Sequence, residues 1–236
     1  MLEAGGRTDP VTAVFDNRTA AGRALARTLA GRRWPDPVVV LALPRGGVPV
    51  AAEVARALRA PLDLLLVRKI GAPQQPELAI AAVVDGTPPD TVVDDETAAW
   101  AGVDRAGIDA RVRDELPELA RRRHLYLQDR APLPVRGCTA IVVDDGVATG
   151  TTVRAALAAL RRRGPAHTVL AVPVAPADTL AALATEVDEI VCLSQPWPFH
   201  AIGLHYRDFH QVGDGEVLAT MAAAAQADGA LSPVPR

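Results

Sequence analysis

Thr139-Ala-Ile-Val-Val143 runs without a break into Asp144 and Asp145, then into Gly146-Val-Ala-Thr-Gly-Thr-Thr152. This stretch limits the fold more strongly than any other. A short apolar run with no polar alternation predicts a strand buried on both faces, as in a parallel sheet covered by helices. The turn of small residues leads into a helical pattern that ends near Arg163, before Gly164-Pro165. Strand, tight turn and helix together are the unit of an α/β doubly wound domain. Ligands of such domains bind at the carboxyl edge of the strands.

The rest of the chain fits that architecture. Residues 1–12 read as a lead-in, and 18–32 as a helix capped by Asp16 or Asn17. Val38–Leu43 predicts a second buried strand ending in Pro44-Arg45-Gly46-Gly47. A helix over Val48–Arg59 follows, then a strand over Leu62–Val67 that ends in Arg68-Lys69. Residues 70–78, rich in Gly, Pro and Gln, read as a loop. Ala79–Val84 and Thr91–Val93 read as further strands. The polar stretch 94–128 predicts a helical insert standing apart from the sheet. Val169–Val174 and Ile190–Leu193 are two more strands, with a helix near 176–185 between them, and 216–226 is helical. We expect one domain over 1–236, with a core over about 38–194 and a C-terminal hood or tail segment from 194.

Composition excludes several function classes. A formal net charge of −3 argues against bulk binding to nucleic acid or a membrane surface. The basic runs Arg121–Arg123 and Arg161–Arg163 fall in helices and read as solvated faces. Cys138 and Cys192 flank apolar runs, without the spacing of a metal site or a disulfide framework. The N-terminus has no apolar leader, and no apolar run nears the roughly 20 residues that span a bilayer, so a cytoplasmic protein is expected.

The 141–152 string carries its own chemistry. Adjacent carboxylates at a strand end can accept hydrogen bonds from a sugar diol. Small residues at 146, 148 and 150 let backbone N–H groups approach an anion, and Thr149, Thr151 and Thr152 add hydroxyl donors. The helix start aims at the same place. A diol acceptor beside a phosphate cradle suits a ribose 5-phosphate. Phosphoacceptor receiver domains also end a strand in Asp-Asp, but near the first strand rather than after residue 140. The triphosphate-binding pattern GxxxxGK[ST] is absent.

Ile141-Val-Val-Asp-Asp-Gly-Val-Ala-Thr-Gly-Thr-Thr152 resembles the signature of type I phosphoribosyltransferases for 5-phosphoribosyl-1-pyrophosphate (PRPP). FDNRTAAGRALA from Phe15 and LPRGGVPVA from Leu43 resemble strings of a bacterial subgroup of that family. The resemblance implies that Asp144 and Asp145 contact the ribose hydroxyls and, indirectly through PRPP and water, Mg²⁺. It implies that Val147, Ala148, Thr149, Gly150, Thr151 and Thr152 hold the 5-phosphate, with Gly146 also among the PRPP-binding residues. It assigns Arg45, Gly46 and Gly47 to pyrophosphate, in a first loop that often contains a strained or cis peptide. Read alone, that loop is equally a tight turn with unusual glycine dihedrals.

Arg68 and Lys69 are two neighbouring cations suited to pyrophosphate. The family places a mobile catalytic loop after such a residue, which here falls on 70–78. Lys69 and Glu77 are then catalytic candidates beside the two aspartates, although Glu77 reads equally as a solvated carboxylate. The implied reaction moves the phosphoribosyl group to a small, nitrogenous acceptor with release of pyrophosphate. A non-catalytic PRPP-binding regulator is the alternative.

Members acting on 6-oxopurines carry an acid three places after the second Asp, where this chain has Ala148. That demotes a 6-oxopurine acceptor. The acceptor candidates are Trp197, Phe199, His200 and Tyr206, in a stretch that also holds His205, Phe209 and His210. A satellite apolar cluster is the plainer reading of each. The resemblance is compatible with a homodimer, though no interface stripe stands out.

Overall fold

A computed structural model describes residues 14–86, 88–128 and 130–231. The chain enters through α1 (Arg18–Ala30), where the Asn17 side chain accepts the Ala20 N–H at 2.9 Å. β1 (Val38–Ala42), α2 (Gly47–Leu58) and β2 (Leu62–Leu64) make the first crossover. β3 (Val67–Ala72), β4 (Gln75–Val84) and β5 (Asp90–Val93) follow, then α3 (Asp95–Trp100) and α4 (Arg105–Leu127). The chain returns through β6 (Thr139–Val143), α5 (Thr151–Arg162), β7 (His167–Val174), α6 (Ala177–Leu183) and β8 (Glu189–Ser194). A 3₁₀ turn (Ile202–His205) and α7 (Asp214–Leu231) complete it. The expected lead-in over 1–12 lies outside the described residues.

β2, β1, β6, β7 and β8 form one parallel sheet in that order. Alternate residues of β6 feed opposite cores. Ile141 and Val143 pack with Leu25, Leu29, Val50 and Val54 of α1 and α2, while Ala140 and Val142 pack with Val153, Leu157 and Leu160 of α5. Both faces of the strand are therefore dry, which is why its sequence shows no polar alternation.

Three expectations need correction. The second core strand ends at Leu64, so Arg68 and Lys69 do not stand at its end. They lie within β3, which pairs antiparallel with β4 in a separate three-stranded sheet, β3-β4-β5. Thr91–Val93 belongs to that second sheet. The loop expected over 70–78 is a β-hairpin, with Pro73-Gln74 as its turn. The register shifts around Gly71, where an added Cβ would sit 2.2 Å from the Pro76 carbonyl oxygen. The Gly and Pro that signal a loop locally are here accommodated by a bulge.

The helical insert does not stand apart from the main sheet: Leu119, Tyr126 and Leu127 of α4 enter the core shared with β1 and β6, and the earlier part of the insert covers the second sheet. Ile70, Ile80, Ala98 and Ile108 share a small core. Arg68 pairs with Glu115, and Arg123 with Asp85, across the same boundary. Arg121 and Arg122 both bond Glu118 on their own helix, as a solvated face would. Cys138 and Cys192 are unpaired.

Candidate functional site at the carboxyl edge of β1 and β6

β1 and β6 are hydrogen-bonded neighbours, with Ala42 opposite Val143. Their carboxyl ends therefore emerge side by side, and the Leu43 N–H donates to the Val143 carbonyl at 2.9 Å. Beyond that point one chain makes Pro44-Arg45-Gly46-Gly47 and the other makes Asp144-Asp145. The Pro44–Arg45 peptide is cis. Gly46 has ordinary helical angles, φ −59° and ψ −36°, so the glycine is not explained by unusual dihedrals. Its reason is contact. An added Cβ at Gly46 would lie 2.1 Å from Asp145 Oδ2, and one at Gly47 would lie 2.7 Å from the Val143 carbonyl oxygen. The Gly47 N–H donates to the Leu43 carbonyl at 3.0 Å, so it is committed to the turn and does not face an anion.

The two acids differ in their surroundings. Asp144 Oδ1 accepts the Asp145 N–H at 2.8 Å. Asp145 Oδ2 accepts Arg18 Nε at 2.7 Å, and both side chains are nearly buried, at 8% and 11% exposure. Burial, and then the neighbouring Asp145 charge, push the Asp144 carboxyl well above its usual range. Burial also raises Asp145, although Arg18 pulls it back. Apart from the Asp145 N–H and the contact of the carboxyl groups with each other, no N–H or hydroxyl of the described protein reaches Asp144 Oδ2 or Asp145 Oδ1. Two open acceptor oxygens are what a vicinal diol can use.

The turn after the acids splits into an occupied and an open part. The Val147 N–H donates to the Val174 carbonyl at 2.9 Å, which stitches the turn to β7 and removes Val147 from the expected phosphate donors. The N–H groups of Ala148, Thr149 and Gly150 have no backbone acceptor among the described residues. Gly150 sits at φ +76°, where a side chain would be strained, and it leads directly into α5. The first-turn N–H groups of Thr151 and Thr152 lack intrahelical acceptors by geometry. Thr149 and Thr151 hold their hydroxyls 3.3 Å apart, and Thr179 bonds the Ala148 carbonyl at 2.7 Å, fixing the rim.

The expected cations are less concentrated than the sequence implies. Arg45 rests 3.5 Å from Asp214 Oδ1, and that acid also accepts the Tyr126 hydroxyl. Adjacent residues of a strand point to opposite faces. Arg68 turns to Glu115 on α4, at 2.8 Å, while Lys69 is exposed and points the other way. They are therefore not a side-by-side pair. Glu77 falls within β4, and its side chain lies outside those described.

The acceptor candidates also separate. Trp197 is 84% exposed, and His200 is exposed. Phe199 stacks on His205 with centroids 5.4 Å apart. Tyr206 is only 6% exposed and packs between Phe15 and Phe209. Its hydroxyl donates to the Asp145 carbonyl. Tyr206 thus offers no open face for stacking a base and instead supports the acid pair. The turn carrying Ile202 closes against Gly146, where an added Cβ would lie 2.6 Å from Ile202 Cγ2.

Sequence reasoning missed Arg18 altogether as a site residue. Besides Asp145 it bonds the His210 carbonyl at 2.7 Å, and its guanidinium lies 3.9 Å above the Phe209 ring. The Phe-x-x-Arg start was visible in the sequence, but nothing local ties Arg18 to an acid 127 positions away. Asp214 was missed for the same reason.

The phosphoribosyl transferase domain model matches residues 11–208. A protein of Mycobacterium tuberculosis, provisionally named a phosphoribosyl transferase, is 48% identical over 207 residues. The match covers 87% of this chain but 46% of that protein, so the chain spans about half the length of this curated relative. A crystal structure from Thermus thermophilus superposes with a TM-score of 0.79 at 39% identity, covering 89% of this chain and 98% of that one. The paired strand ends, the acid pair and the open-amide turn lie within the matched region, and this chain belongs to the phosphoribosyl transferase domain family.

Proposed function

We propose that the protein is a Mg²⁺-dependent phosphoribosyltransferase. It would take the 5-phosphoribosyl group of PRPP to a small nitrogenous acceptor and release pyrophosphate. One observation carries the reading. Two open carboxylate oxygens and a run of unengaged N–H groups follow each other on a single strand–turn–helix.

In this reading Asp144 and Asp145 hold the ribose hydroxyls, and Ala148 to Thr152 hold the 5-phosphate. Arg45 and Gly46, on the adjacent strand end, take the pyrophosphate, and Lys69 and Glu77, both carried on the β3–β4 hairpin, are the remaining catalytic candidates. The bond from the anomeric carbon to the pyrophosphate oxygen breaks, and a bond to the acceptor nitrogen forms as that nitrogen sheds its proton. Exposed Trp197 and His200 lie in the stretch that would meet the acceptor.

Among the described residues no cluster of three or more His, Cys, Asp or Glu makes a protein cage for a metal. That fits Mg²⁺, which binds through few carboxylates and mainly through substrate oxygens and water. Asp144, the acid without a cationic partner, would reach it through PRPP and water. The bound ion would supply charge neutralisation at the leaving pyrophosphate.

Calorimetric titration of PRPP with Mg²⁺ tests the ligand. Saturable binding by the wild type, lost in Asp144→Asn/Asp145→Asn, is expected, followed by pyrophosphate release with some members of a panel of nitrogenous bases. Folded wild-type protein that takes up no PRPP would defeat the reading. Arg68, committed to Glu115, favours a second reading as a non-catalytic PRPP-binding regulator. That reading predicts PRPP binding without pyrophosphate release for every base in the panel.

A further inference from the structure

Arg18 stands outside both strand ends and outside the turn that carries the candidate chemistry. We propose that it is a positioning residue for the acid pair. It fixes Asp145 as one half of a buried ion pair, so that the site presents a single uncompensated carboxyl group, that of Asp144, to the ligand.

Three contacts hold Asp145 while its Oδ1 stays open. Arg18 Nε meets Oδ2 at 2.7 Å from behind. Gly46 abuts the same oxygen in front, close enough that a Cβ there would stand 2.1 Å away. The Tyr206 hydroxyl bonds the Asp145 carbonyl. Arg18 is itself held, by the His210 carbonyl at 2.7 Å and by the Phe209 ring at 3.9 Å. The clamp is thus built by α1 and residues 206–210, neither of which belongs to the 141–152 string.

Its use follows from charge. Two neighbouring carboxylates facing a ligand that carries phosphate groups would repel both each other and the ligand. A guanidinium on one of them cancels that charge without occupying the ligand side. A cation on Asp145 is worth most in a buried place, where removing one partner leaves an uncompensated charge.

This deepens the proposed PRPP site and rests on it. The test is a four-protein cycle of wild type, Arg18→Met, Asp145→Asn and the double variant, with Arg18→Lys as the conservative control. Each is titrated with PRPP and Mg²⁺. Arg18→Met is expected to weaken binding about tenfold, or roughly 1.4 kcal/mol. In the Asp145→Asn background the same change should cost less than about threefold, because Arg18 acts through Asp145. Arg18→Lys should recover part of the loss. An equal cost in both backgrounds, or none in either, overturns the proposal. Wild-type protein that binds no PRPP defeats the functional reading instead. The same four proteins, unfolded in urea, then decide the ion pair, and a coupling near zero rejects it.

Discussion

Gly46→Ala isolates the contact on which the site's geometry depends. The backbone at Gly46 is helical, so alanine meets no dihedral strain there. By itself the exchange would stabilise by about 0.4–1 kcal/mol, through lost freedom in the unfolded chain. The new Cβ, however, falls 2.1 Å from Asp145 Oδ2. Even weak C–H···O contacts keep about 3.3 Å, so the overlap exceeds roughly 1 Å. A free carboxylate would swing aside at little cost, but this one is tied to Arg18 at 2.7 Å. Overpacking a fixed site costs about 1–3 kcal/mol, so at the midpoints of the two ranges the net effect is a loss of about 1.3 kcal/mol.

Gly31→Ala is the matched control. Gly31 also has helical-region angles, φ −74° and ψ −2°, and its nearest neighbour to an added Cβ is the Thr28 carbonyl oxygen at 3.6 Å. In thermal unfolding, Gly46→Ala should lower Tm by about 2–8 °C and Gly31→Ala should raise it by about 1–4 °C. The loss at Gly46 should shrink in an Arg18→Met background, where the carboxylate can move. A Gly46→Ala protein as stable as wild type, with Gly31→Ala behaving as stated, would refute a pinned Asp145.

Three further outcomes follow from the same site. The raised Asp144 carboxyl means that the folded chain binds more protons than the unfolded one above the usual 3.8, so stability falls as pH rises from there to the raised value. Asp144→Asn should therefore raise Tm near neutral pH and flatten that slope while abolishing PRPP binding. A Tm-versus-pH profile that Asp144→Asn leaves unchanged across the same window would contradict the burial of this acid. Tyr206→Phe leaves the Asp145 carbonyl without its hydroxyl donor and should cost about 1–3 kcal/mol in urea unfolding; no loss would remove Tyr206 from the clamp. Lys69→Ala should cut pyrophosphate release by about tenfold or more and change unfolding by less than about 0.5 kcal/mol, as an exposed position allows; unchanged release would take Lys69 out of the site.

The sequence was most legible where local pattern and tertiary role coincide. β1 and β6 read as buried strands because both of their faces are covered. The helix after Gly150 was readable from its small-residue entry and its Gly-Pro exit. The β3–β4 hairpin was not, because its pairing depends on a partner strand and on a bulge at Gly71 that no local rule supplies. Gly-Ala-Pro-Gln-Gln-Pro has loop composition, yet all but Pro73 and Gln74 lie in strands.

The site shows the same division at the level of atoms. The motif announces groups that can face a ligand: two acids, the small-residue turn and its hydroxyls. It cannot announce which of their neighbours are already spent. Val147 looks like its companions in sequence, but its N–H goes to β7. Gly46 looks like a dihedral requirement, but the constraint is the carboxylate in front of it. Asp144 and Asp145 look interchangeable, but only one has an arginine behind it. Each distinction is made by a residue distant in sequence: Val174, Asp145 or Arg18. Here a row of candidate groups at one strand end is backed by side chains from α1 and from the segment before α7. The backing decides which members of the row keep free charge and hydrogen-bonding capacity.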